Sequence, residues 1–103
     1  MLLSIPERIV LFGILPEKEN FVTMKLIKDL RSNLTLSEED IKEGEITTSE
    51  DGNQILWKKH IERDIPIGEK ATDIIVEALK KLDSEKALED RHMALWEKFI
   101  GGV

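Results

Sequence analysis

The amino-acid sequence predicts an α+β fold, predominantly helical, with four to five short helices, one central β-hairpin and a C-terminal helical hairpin. Three observations carry that expectation. Apolar residues recur at helical spacing over 17–32, 69–82 and 88–100. Asp51-Gly52 sits between two short extended runs, a hairpin turn signal. Ser4 and Ser37 each stand directly before a helical pattern, where a hydroxyl can cap the first free N–H groups. At 103 residues the chain is read as a single domain, 1–103, able to bury a core without covalent staples.

The elements follow in order. Ser4 and Glu7 have capping-box spacing, with Pro6 in the first turn where proline is tolerated, so a helix is expected over Ile5–Ile14. Its body, Ile9 to Leu15, is apolar all round and should be buried on several sides; a buried strand is the rival reading of so short an apolar run, and Pro16 ends it either way. A second helix is expected from Glu17 to Ser32. Val22, Thr23, Leu26, Ile27 and Leu30 fall on one arc, and Lys18, Lys25, Lys28 and Arg31 fall on the other. Ser37 then caps Glu38 to Glu43, whose acidic first turn suits the helix dipole, and Gly44 should stop it.

The period then changes. Glu45–Thr48 and Gln54–Trp57 flank the turn 49–53 and read as the hairpin. Lys58 to Arg63 reads as a charged connection, and Asp64–Gly68 as an extended segment that Pro66 confines to a sheet edge or excludes from a sheet. The clearest helix spans Glu69–Leu82, with Ala71, Ile74, Ile75, Ala78, Leu79 and Leu82 on one face. A last helix over Leu88–Ile100 places Leu88, His92, Leu95, Trp96, Phe99 and Ile100 on one stripe. A short connector makes these two an antiparallel helical hairpin.

Composition narrows function. There is no cysteine, which removes disulfides, thiolate metal sites and thiol nucleophiles, and fits a cytoplasmic address. The longest apolar run, Ile9 to Leu15, is far shorter than the roughly 18 residues of a membrane span. Net charge is −6, and residues 35–68 are the acidic part, with nine acidic and four basic side chains. That balance weighs against nucleic acid as a partner.

Candidate chemistry is sparse. His60, Glu62 and Asp64 alternate and would share one face of a strand, but Lys58, Lys59 and Arg63 oppose a metal there. Glu89 and His92 have the helical spacing used in carboxylate-bridged metal bundles, which need two such pairs; here there is one. Asp73 and Glu77 lie one turn apart, yet Lys70, Lys80 and Lys81 share their helix. No nucleophile elbow or phosphate-binding loop occurs. No catalytic, cofactor or metal residue is therefore assigned.

Two binding readings remain. Met1, Leu2, Leu3, Phe21 and Met24 exceed what one narrow core stripe needs, and Trp57 and Trp96 are expected to be only partly covered. Either these residues complete the core with the first helix, or they mark a surface for a protein partner or for self-association. The alternative is a winged-helix-like nucleic-acid binder using Lys18, Lys25, Lys28 and Arg31, since helices followed by a hairpin resemble that order. Against it, the helix before the hairpin and the hairpin tip are acidic. A small carboxylate-dependent metal enzyme is a remote third.

The stretches Leu15-Pro16-Glu17-Lys18-Glu19-Asn20-Phe21 through Leu30, Gly68-Glu69-Lys70-Ala71 through Leu82, and Trp96-Glu97-Lys98-Phe99 resemble small uncharacterised proteins encoded in phages and prophages. The resemblance implies no activity, cofactor or site residue. It implies a small accessory or regulatory protein, and the expectation is a non-enzymatic interaction module.

Overall fold

Local chemistry sets the helix starts in the computed structural model, which describes residues 1–101. Helix α1 spans Ile5–Ile14. Ser4 Oγ accepts from the Glu7 N–H at 3.3 Å, and Glu7 Oε1 accepts from the Ser4 N–H at 2.9 Å, completing the capping box. Helix α2 spans Phe21–Leu34 rather than starting at Glu17. Asn20 Oδ1 accepts from the Thr23 N–H at 2.9 Å, so the cap lies three residues beyond the expected start and Lys18 stays outside the helix.

Helix α3 spans Glu38–Gly44, capped reciprocally by Ser37 and Asp40. Gly44 does not supply the left-handed stop; Glu45 does, at φ 49°. Gly44 matters for space instead. A Cβ there would lie 3.1 Å from both Ile5 Cδ1 and Ile46 Cγ1, and its carbonyl accepts from the Lys58 and Lys59 N–H groups.

The hairpin forms as expected, with strands β1 (Thr47–Thr48) and β2 (Ile55–Leu56) antiparallel and Thr47 opposite Leu56. Gly52 takes the positive φ of 73° that the turn demands. Asp51 accepts from the Ser49 hydroxyl and the Asn53 N–H, which locks the tip.

A second small sheet was not anticipated. Leu2–Ser4 (β3) pairs antiparallel with Glu62–Asp64 (β4), Leu3 opposite Arg63, and the Ile65 N–H continues the ladder to the Met1 carbonyl at 2.8 Å. Part of the expected charged connection 58–63 is thus a strand. The ladder ends before Pro66, which has no N–H to donate.

Helix α4 spans Glu69–Ser84 and α5 spans Asp90–Phe99, packed on each other as the C-terminal hairpin. One core joins all the larger elements: Leu3, Leu11, Leu15, Ile27, Leu30, Leu34, Ile65, Ile75, Leu79 and Leu95 are buried together. The expected faces of α4 and α5 do point inward. On α2 the buried line is Ile27, Leu30 and Leu34, while Val22 is exposed. Among the described residues, no helix is long and apolar enough to cross a membrane.

Candidate functional site

Helix α1 is not buried all round. Ile5, Arg8 and Leu11 face inward, which at 100° per residue turns Ile9 and Phe12 outward; they are 36% and 43% exposed. Phe21, the first residue of α2, is 82% exposed beside them. Between α1 and α2 lies a groove of about 650 Å³ lined by Phe12, Phe21, Met24, Lys25, Lys28 and Arg31, with Ser32 and Thr35. A second hollow of about 360 Å³ continues it past Phe12 and Thr35 to Ile9, Leu36 and Ile55. The result is one apolar strip running from α2 across α1 to the hairpin.

Its electrostatics are one-sided. The groove carries three cations and no acidic lining residue. Arg31 is held in place: its Nη2 donates to the Leu15 carbonyl at 3.2 Å, and its Cζ lies 5.4 Å from the Phe12 ring centroid, within cation–π range. Lys25 and Lys28 are exposed at the rim. At the far end the strip meets Ile55; Leu56 and Trp57, also exposed, lead from it to the hairpin base, and the turn bearing Glu50 and Asp51 adjoins it on the other side.

Beneath the strip a buried ionic network fixes the base. Arg8 Nε donates to the Leu34 carbonyl at 3.2 Å and Nη2 to the Thr35 carbonyl at 2.8 Å, while Nη1 stands 3.1 Å from Asp40 Oδ2. That last contact is a charge pair without hydrogen-bond alignment. Arg63 Nε donates to Asp40 Oδ1 at 2.7 Å. Burial by itself would raise the Asp40 pKa, but the Ser37 N–H, Arg63, the Ser37 hydroxyl and the Arg8 charge outweigh it and hold the carboxyl well below the usual range.

The basic stripe expected from the sequence is divided. Lys25, Lys28 and Arg31 share the groove, but Lys18 lies across α2 in a separate polar hollow with Asp73, Glu77, Lys70 and Lys81. A helix starting at Phe21 cannot carry Lys18 on its face. Of the apolar residues singled out, Met1, Leu2, Phe21 and Trp57 are exposed, Leu3 is fully buried, and Met24 and Trp96 rest against the core. Ile9, Phe12 and Ile55 are the members that sequence reasoning missed.

The metal constellations do not assemble. Glu62 and Asp64 lie in β4, His60 precedes it and bonds Glu62 at 3.2 Å, and Asp64 Oδ1 lies 2.6 Å from the Met1 nitrogen. His92 is buried, and its Nδ1 accepts from the Glu89 N–H at 2.9 Å, so the ring acts as a helix cap. Among the described residues no three histidine or carboxylate side chains converge on a cation position. No protein-family model, curated protein or solved structure matches the chain.

Proposed function

We propose that the protein is a non-enzymatic interaction module that binds protein through the apolar strip between α2, α1 and the hairpin. The observation that carries this reading is the exposure of Ile9, Phe12, Phe21 and Ile55 along one continuous depression. Contiguous exposed apolar area with a polar rim is the usual mark of a protein contact. The buried Arg8–Asp40 pair under the strip ties α1 to α3 there, which lowers the ordering entropy that opposes association. The phage-protein resemblance and the cytoplasmic address expected from the cysteine-free composition give this module an accessory or regulatory setting.

The nucleic-acid reading keeps one favourable observation, phenylalanine rings interleaved with Lys25 and Lys28 in one groove. The separation of Lys18, the engagement of Arg31 and the acidic α3 weigh against it.

The test is a paired substitution, Ile9→Asp with Phe12→Asp. Both side chains are exposed enough for the fold to survive, which circular dichroism and the melting temperature will show. Loss of association with protein, self or other, supports the reading; unchanged association overturns it. A salt-sensitive DNA shift abolished by Lys25→Glu with Lys28→Glu would favour the nucleic-acid alternative instead.

A further inference from the structure

The strip has two chemically opposite ends. Lys25 and Lys28 stand exposed at the α2 end, and the exposed Glu50 and Asp51 stand in the turn that adjoins the Thr48–Ile55 pair, where the strip meets the hairpin. Between them lie Phe12, Ile9, Leu36 and Ile55. Two such surfaces laid face to face about a two-fold axis bring apolar centre onto apolar centre. The same operation sets the basic end of each protomer against the acidic end of its partner, because isologous contacts exchange the two halves of a patch. Set parallel, the ends would meet like to like and repel.

Resting on the interaction reading above, we infer that the occupant of the strip is a second copy of this chain, paired antiparallel across the strip, with Lys25 and Lys28 of one protomer facing the partner's hairpin tip. Charge complementarity selects this occupant, since the chain itself supplies an apolar element with an acidic tip to match an apolar groove with a basic rim. The required size is modest. A stable contact buries about 800 Å² per partner, a small share of the 7274 Å² surface. The hairpin suits the role because its strands pair chiefly with each other, while its base is anchored by the Gly44 carbonyl.

Sedimentation velocity and native mass spectrometry on the full chain decide the matter. The wild type should dimerise with increasing concentration. Two charge variants should each shift to monomer: Lys25→Glu with Lys28→Glu, and Glu50→Lys with Asn53→Lys, the latter sparing the Asp51 contacts that lock the turn. Each should raise the dissociation constant about tenfold or more. Mixing the two variants should restore a heterodimer, because both mismatched ends then become complementary. A wild type that stays monomeric to about 1 mM, variants that dimerise unchanged, or a mixture that stays monomeric overturns the inference. If the wild type is monomeric but Ile9→Asp with Phe12→Asp still loses a different protein partner, the interaction reading stands and the second copy falls.

Discussion

Arg8 and Asp40 face each other at 3.1 Å with 3% and 4% of their side chains exposed, so α1 and α3 are joined by a charge pair almost wholly removed from water. Such pairs stabilise little relative to an apolar pair of the same shape, but leaving one member alone is costly. Here each Asp40 oxygen is engaged. Oδ1 takes the Arg63 Nε–H, and Oδ2 takes the Ser37 N–H and faces Arg8. One carboxylate therefore ties α1, α3 and β4 together.

Asp40→Ala should lower unfolding stability by about 3–5 kcal/mol, since it leaves the buried Arg8 charge without its counter-ion and removes the Asp40 half of the capping box. Asp40→Asn should cost less, because the amide oxygen still accepts a hydrogen bond. Urea denaturation at neutral pH checks the order wild type, Asn, Ala. A loss below about 1 kcal/mol for Asp40→Ala would show that the pair tolerates separation.

Acid should destabilise the fold through Asp40 and Glu7. Glu7 is also held below its ordinary value: burial opposes this, but the Lys98 hydrogen bond and the Ser4 N–H prevail. Both folded pKa values are depressed, so the unfolded chain takes up protons first as pH falls. The stabilisation is complete above about pH 5 and is lost progressively as pH falls through the ordinary carboxyl values of 3.8 and 4.5 toward the depressed ones. Melting temperature against pH from 6 to 2 should show a steeper fall for the wild type than for Asp40→Asn.

Among the described residues two non-glycines occupy the left-handed region, Glu45 at φ 49° and Lys86 at φ 56°. Each follows a helix where glycine would be free of the Cβ clash. Glu45→Gly and Lys86→Gly should each stabilise by about 0.5–1 kcal/mol, read as a rise of several degrees in melting temperature. Alanine at the same positions should give no such gain, because it keeps the Cβ.

Lys98, near the end of α5, donates to the Leu2 carbonyl at 2.9 Å and to Glu7 Oε1 at 2.8 Å. Lys98→Met keeps the stem and removes both bonds. Hydrogen exchange should then accelerate several-fold at the amides of the β3–β4 ladder, Ile65 included, while the α4 amides hold their protection. Uniform acceleration would mean that the contact supports the whole fold rather than this edge.

Much of the fold was legible from short-range signals. Ser4 with Glu7, Ser37 before an acidic turn, and Asp51-Gly52 each act within a few residues, and each forms as expected. The β3–β4 ladder was not legible, because backbone bonds between three-residue strands some 60 positions apart leave no side-chain period, and Glu62-Arg63-Asp64 reads as solvated charge. The strip was half legible. Phe21 stood out as surplus, but Ile9 and Phe12 sat in a run whose uniform hydrophobicity hid which side lacks a cover. The rotation of α1 about Arg8 settles that, and a buried arginine inside an apolar helix was the available clue.

The packing of α1 bears on how the chain is made. Its inner face is covered by α2, α4 and α5, and α5 is completed only at Phe99. A ribosome adding about 5–20 residues per second leaves the inner face of that first helix only partly covered for several seconds. Slowing translation late in the message should therefore aggregate the nascent chain more than slowing translation early.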